Sequence, residues 1–228
     1  MSSEITRRVK RAMRKYERVY AKVHREFMAG LCQMECTVDQ SGLRIGSKYV
    51  MYFGERELMR RHAELLLESN REKEVLEVGY GLGIFAQEAL GLGAKSHTII
   101  EVHPALVEMA MKWREGLDDP GRVKIINSSW QESFGLLGSY DAIMYDGSSP
   151  PGYGNYDFKS FVEVFCVSKL RSGGLFSFWS HGNALNPCRE RLLNAQFQTV
   201  DKHPFRMEPV PAAWGRETSD FTVAVARK

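Results

Sequence analysis

Val75-Leu76-Glu77-Val78-Gly79-Tyr80-Gly81-Leu82-Gly83 is a short apolar run that stops at a cluster of glycines. The run reads as a buried strand, and Ile84 to Leu90 after it reads as a helix. Between them the glycines allow a sharp turn and let the backbone approach a ligand closely. A strand, a glycine loop and a helix form the opening unit of a mainly parallel sheet with helices on both faces. The spacing is G-x-G-x-G, not the G-x-G-x-x-G of dinucleotide sites, which argues against an NAD-type fold. Glycine turns also serve simply to connect elements, so the neighbouring segments have to decide.

Downstream, strands and helices alternate. His97 to Glu101 is a second strand and Pro104 to Arg114 a helix with proline in its first turn. Val123 to Ile126 and Tyr140 to Tyr145 are the third and fourth strands, Phe158 to Leu170 a helix, and Leu175 to Trp179 the fifth strand. Pro187 to Ala195 is helical. Phe197–Lys202 and Phe221–Ala226 close the sheet as an antiparallel hairpin. The expected fold is therefore α/β and Rossmann-like, with a seven-stranded, mostly parallel sheet.

Upstream, Glu55 to Ser69 reads as a helix and residues 30–54 as irregular, with Gly42, Gly46 and Gly54 as breakers. Ile5, Val9, Met13, Tyr16, Tyr20, Val23 and Phe27 form an amphipathic stripe. Residues 1–29 carry nine basic and three acidic side chains, although the whole chain is only +3. The expected division is a helical segment, 1–54, acting as a lid and a contact between two copies, and a catalytic domain, 55–228. The basic helix reads as a solvated face or as a docking arm. No aromatic-rich basic stripe lies near the expected site, which argues against nucleic acid.

Three features point to the ligand. The glycine loop follows the first strand. Glu101 ends the next strand about 20 residues on, where a carboxylate accepts from both hydroxyls of a ribose. Ser129-Trp130 follows the third strand, where an indole covers an adenine; a core tryptophan is the plainer alternative. Glu77, inside the first strand, either holds the glycine loop or faces the reactive end of the ligand. Together these match the pattern of class I methyltransferases that use S-adenosylmethionine (SAM), whose ligand lies beyond the carboxyl ends of the strands. Asp146 ends the fourth strand, facing that ligand, and Glu55 lies just before the core. Two carboxylates suit a planar cation such as a guanidinium, by paired hydrogen bonds.

From Lys48 to the C-terminus the sequence resembles the guanidinoacetate N-methyltransferase family and, more distantly, the internal-nitrogen protein arginine methyltransferases of fungi and plants. The resemblance rests on Val50-Met51, Glu55 and Met59 at V-M-x-x-x-E-x-x-x-M spacing, on Val75 to Gly81, on Ile99-Ile100-Glu101, on Trp130, and on Tyr145-Asp146 with its spacing to Gly173-Gly174. The stretch Met207 to Ala212 is similar to the family's closing segment. The resemblance implies that Glu55 and Asp146 bind the guanidino group, that Met51 lines the pocket, and that Glu101 and Trp130 contact SAM. The expected cofactor set is then Glu77, Gly79, Tyr80, Gly81, Gly83, Glu101, Val102, Ser129, Trp130, Met59 and Asp146. The expected substrate set is Met51, Glu55, Asp146 and His181. Three departures fall at the substrate's other end: Gly54 where the family has tryptophan, Ser148-Ser149-Pro150-Pro151-Gly152 after the aspartate, and Ser180-His181-Gly182 where a Thr-Ser pair holds a carboxylate.

The chemistry expected is in-line transfer of a methyl group from SAM to a guanidino nitrogen, with S-adenosylhomocysteine leaving. A guanidinium, with a pKa above about 12, has no free lone pair. A proton must leave as the new bond forms, so Asp146 is assigned as its acceptor and Glu55 as the orienting partner. His181 is a candidate helper. The alternatives are an amine or amide of a natural-product intermediate, and arginine within a protein. A SAM-binding module without catalysis leaves the paired acids without a purpose. With 43% apolar and 26% charged residues the chain is ordinary for a globular protein. It contains no run of about 20 apolar residues that would span a membrane. Cys32, Cys36, Cys166 and Cys188 fit reduced thiols of a cytoplasmic protein, and no metal site is expected from them.

Overall fold

The computed structural model describes residues 7, 11, 14, 18–68, 72–208, 210 and 219–228. The expected alternation appears as a seven-stranded sheet in the order β6-β5-β4-β7-β8-β10-β9. Its strands are β4 (Glu74–Val78), β5 (Ser96–Glu101), β6 (Val123–Asn127), β7 (Tyr140–Tyr145), β8 (Leu170–Phe178), β9 (Thr199–Met207) and β10 (Ser219–Arg227). The pairs from β6 through β8 are parallel, and β10 runs antiparallel to both β8 and β9. The chain winds outward from β4 to β5 and β6, then returns to place β7 on the other side of β4. This reversal opens a crevice at the carboxyl ends of β4 and β7, where ligands of such sheets bind.

Strand alternation builds the two cores. Val75 of β4 belongs to one apolar cluster, with Phe85, Ala86 and Ala89 of α3 (Ile84–Gly91) and Met59, Ala63 and Leu66 of α2 (Arg56–Leu67). Leu76 and Val78 belong to the other. There they join Phe158, Phe161 and Phe165 from the helix that starts at Gly154–Ser160 and continues through a π-helical stretch, Phe161–Cys166, to Lys169. Tyr145 at the end of β7 stacks on Phe161 at 4.2 Å and donates its hydroxyl to the buried Asp157. The residue just before Asp146 is thus clamped from the far face of the sheet.

Two expectations for the N-terminal part need correction. Residues 30–54 are not irregular: β1 (Cys36–Val38), β2 (Gly42–Ile45) and β3 (Lys48–Tyr52) form an antiparallel sheet of three short strands. At three to five residues each strand is too short to show a period. Gly42, read as a breaker, is a packing residue. A Cβ there would overlap the carbonyl of Met51 on the paired strand. The second correction concerns the stripe. Helix α1 (Ala21–Cys32) buries Tyr20, Ala21 and His24, whereas Val23 and Phe27 are only half-buried. The face that meets the protein therefore keeps Tyr20 of the stripe but is rotated from Val23 and Phe27, because the polar His24 and the small Ala21 do not stand out in a pattern of large apolar residues. Ile5, Val9, Met13 and Tyr16 lie outside the described residues. Among the described residues no helix is long and apolar enough to cross a membrane.

Candidate active site

The loops that follow β4, β5, β6 and β7 surround one cleft. Val78, Gly79 and Gly81 line it from β4, Glu101 and Val102 from β5, Ser128 to Gln131 from β6, and Asp146 to Ser148 from β7. Met28 and Leu31 of α1, with Ile45, Val50 and Met51 of the small sheet, close the remaining side. Gly79 is held at φ 91°, and the carbonyl of Asp146 lies where its side chain would begin. The two loops can approach each other only with glycine at this position. Opposite Gly81 sits Met51, whose Sδ accepts the Leu82 N–H at 3.2 Å and so ties the small sheet to the glycine loop.

Glu101 is 6% exposed, and its carboxylate is braced by backbone. Oε2 accepts the Tyr80 N–H at 2.9 Å, and Oε1 accepts those of Val102 and His103 at 2.7 and 2.8 Å. Burial pushes its pKa up and the three N–H groups hold it down. Three of about four lone-pair sites are used, which leaves Oε2 able to take a ligand hydroxyl. Trp130 lines the cleft and is fixed edge-on by Phe161 and Phe165, at centroid distances of 5.4 and 5.8 Å. Ser129 lines the cleft beside it, bonded through Oγ to Glu132 at 3.2 Å.

Four of the expected cofactor residues do not line this cleft. Met59 is 1% exposed and belongs to the core under α2. Tyr80 turns its ring towards Trp113 and over Gly83, and meets Glu101 through its N–H. Gly83 is the residue that starts α3. Glu77 projects from inside β4, not from its end. Its Oε2 pairs with His97 Nε2 at 2.8 Å, with Phe85 of α3 edge-on to the imidazole. The physical reason for Glu77 and Met59 is common to β4 and α2: their interior positions point into the core, whereas the large sheet reaches the crevice near and beyond its strand ends.

A second recess adjoins the cleft. Tyr49, Val50, Tyr52, Glu55, Asp146, Trp179 and His181 line it, and Val50 and Asp146 line both. Tyr49 and Tyr52 stack at 4.6 Å. Glu55 sits in a single helical turn, Phe53–Glu55, between β3 and α2. Its Oε1 accepts the Tyr52 N–H and its Oε2 the indole N–H of Trp179, both at 3.0 Å. His181 Nε2 is within 2.8 Å of Ser219 Oγ, and its ring stacks on Trp179. Met51, expected in the substrate set, lies on the cleft side of the boundary.

Electrostatics separates the two recess acids. Burial raises Glu55, and its two hydrogen bonds oppose the rise. Asp146 is pushed up to about 8 by burial first, then by the nearby Glu55 and Glu77. Like charges held together in low dielectric favour the protonated form unless a cation arrives. No lysine or arginine is among the described residues lining either space. Among the described residues no cluster of metal-ligating side chains is present either.

Residues 27–206 match the family described as guanidinoacetate N-methyltransferase. The chain belongs to the guanidinoacetate N-methyltransferase family. The match bears out the resemblance that begins at Val50-Met51. Among characterised relatives, the chain is 28% identical over 167 residues to protein arginine N-methyltransferase 2 of Neurospora crassa, covering 68% of this chain and 38% of that protein. To the protein of that name from Yarrowia lipolytica it is 34% identical over 144 residues, covering 58% of this chain and 28% of that one. The chain thus spans well under half the length of these relatives. In three dimensions it is similar to a spermidine synthase solved with the transition-state analogue AdoDATO, with a TM-score of 0.59 at 17% identity over 85% of this chain and 73% of that one. It is also similar to the N-methyltransferase NodS of Bradyrhizobium japonicum WM9 with S-adenosyl-L-homocysteine, at 0.56 and 18% over 77% and 88%. At such identities the likeness is one of fold, that of class I methyltransferases. SAM is the cofactor this family and fold imply. The cleft fits it: a glycine cradle, a braced acid with a free acceptor site, and a fixed indole stand around one space.

Sequence reasoning missed Trp179, Tyr49 and Tyr52 of the recess, and Met28 and Leu31 of the cleft. Trp179 carried a usable signal. It follows the fifth strand at the carboxyl end, the same position that singled out Asp146 after the fourth. Where the family has tryptophan before its glutamate this chain has Gly54, and the indole beside Glu55 comes from Trp179 instead.

Proposed function

We propose that the chain is a SAM-dependent N-methyltransferase that acts on the guanidino group of a small molecule, such as guanidinoacetate, free arginine or a related guanidine. One observation carries the reading: Glu55 and Asp146 face a single recess, and Asp146 also borders the cofactor cleft. When bound, SAM supplies an electrophilic methyl group on a cationic sulfur. The recess is anionic and flanked by stacked aromatic rings, which suits a flat cation. Glu55, pinned by two donors, holds the guanidinium in place. Asp146 takes the proton lost by the attacking nitrogen and releases it to solvent, so the product remains a methylated guanidinium. A carboxyl with a pKa near 8 is a stronger base than an ordinary aspartate and is matched to neutral pH. In the empty enzyme it holds a proton at pH 7, and the arriving cation drives it off. The rate constant kcat/KM therefore climbs as pH rises towards about 8.

Helix α1 supports reading the N-terminal segment as a lid, because Met28 and Leu31 form one wall of the cleft. A second reading, arginine within a protein, is favoured by the name shared by the relatives from Neurospora crassa and Yarrowia lipolytica. A SAM-consumption assay against guanidinoacetate, L-arginine, agmatine and an arginine-containing peptide, with mass spectrometry of the products, separates the two. Asp146→Asn and Glu55→Gln are each expected to lower turnover by about 10²–10⁴-fold with SAM affinity largely kept. Near-normal turnover by both variants would sink the guanidino reading.

A further inference from the structure

Trp179 follows directly on the last residue of β8, and its N–H still donates to the carbonyl of Tyr145 at 3.2 Å. Its backbone is therefore locked to the strand that delivers Asp146. Its indole is held between His181, stacked at 6.2 Å and 20°, and Phe221, edge-on at 5.7 Å and 74°. His181 is itself fixed by Ser219 on the neighbouring β10. From this seat the indole N–H reaches Glu55 Oε2 at 3.0 Å, across 124 positions of sequence.

We infer that Trp179 is a positioning residue for the methyl acceptor: its N–H fixes the Glu55 carboxylate, and its ring walls the recess in which the acceptor cation lies. The inference rests on the guanidino reading for the identity of that cation. The carboxylate needs both its donors. The Tyr52 N–H alone, on Oε1, leaves the group free to swing about that contact. A second donor on Oε2, from a different element, fixes the plane in which paired hydrogen bonds to a guanidinium form. An indole N–H only donates, so it favours the ionised carboxylate that a cation requires. Asp146 stands among like charges, with burial as its main influence. The two acids thereby take different tasks: Glu55 is the carboxylate held in place, and Asp146 is the group that takes and releases the proton.

The test uses the full chain labelled with [15N]tryptophan, which gives an indole signal for each of four tryptophans. Trp179→Phe identifies one of them by its loss. That signal is expected to move with pH as Glu55 ionises, and to stop moving in Glu55→Gln. In turnover, Trp179→Phe is expected to lower kcat/KM for guanidinoacetate or L-arginine by about 10- to 100-fold. The Kd for SAM is expected to stay within about two-fold of the parent. A Trp179 signal that ignores pH, or that still titrates in Glu55→Gln, overturns the inference, as does a parent-like kcat/KM in Trp179→Phe. If the phenylalanine variant does not fold, Trp179→Tyr gives the same assignment and the same expected loss. A parent enzyme inactive on every guanidine overturns the functional reading instead, and the indole titration then decides the Trp179–Glu55 contact by itself.

Discussion

Asp146 carries a cost that the proposed reaction would use. An aspartate free in the unfolded chain titrates near 3.8, whereas in the fold it is pushed up to about 8. The folded protein thus binds a proton that the unfolded chain has lost. The associated stability is fully present below about pH 4 and drains away as pH rises through about 8. Asp146→Asn removes this dependence, because an amide never ionises. The melting temperature of the ligand-free variant is expected to exceed that of the parent increasingly between pH 4 and 8, and the two should converge at the acid end. Differential scanning fluorimetry across that range checks it; a constant offset would show that Asp146 ionises in the fold as it does in water. Cation binding works in the opposite direction, since it lowers the cost of the charge.

Among the elements, α1 and the small sheet do what the large sheet alone does not. The parallel strands deliver Gly79, Glu101, Trp130 and Asp146 to one edge, but that edge is open. Helix α1 supplies Met28 and Leu31, and β3 supplies Val50 and Met51, as the apolar wall. Tyr20 at the start of α1 anchors the helix, packing against Tyr153 at 5.3 Å and Tyr156 at 5.2 Å. A carboxylate in that wall adds charge to a space already bordered by Glu101 and Asp146. Leu31→Asp at this half-buried position is therefore expected to change SAM affinity through both shape and hydration, raising Kd by about ten-fold, the scale of one lost aliphatic contact. Calorimetry with circular dichroism as the folding control measures it. An unchanged Kd in a folded variant would remove α1 from the cofactor site.

For the whole molecule, the cleft couples ligand binding to stability. Its walls come from α1, the small sheet and four loops of the large one, so a ligand bound there bridges segments that are far apart in sequence. S-adenosylhomocysteine at about 100 times its Kd should stabilise the fold by about 2.7 kcal/mol. For a chain of this size that is a rise in Tm of roughly 5–10 °C. No shift at saturating ligand would argue that the cleft holds something else.

Much of this protein was legible in the chain itself. Val75 to Gly83, Glu101 and Asp146 lie on the alternating strand-loop-helix pattern, and local hydrophobic period and glycine placement fix where such strands end. The ends are where ligands bind, so Glu101 could be named as the candidate cofactor acid and Asp146 as one candidate substrate acid. Glu55, weakly marked by its place just before the core, stood out mainly through the spacing it shares with Val50-Met51. The three short strands between Cys36 and Tyr52 escaped, because strands this brief have no readable period and are held by pairing and by the close approach at Gly42. The inward turn of Glu77, Met59 and the Tyr80 ring also depended on packing, since burial of one residue is set by elements distant in sequence. Trp179 is the plainest case. Its N–H meets Glu55 only because β8 lies beside β7 and α2 begins over the same crevice, a meeting that long-range strand order decides and no local stretch of sequence records.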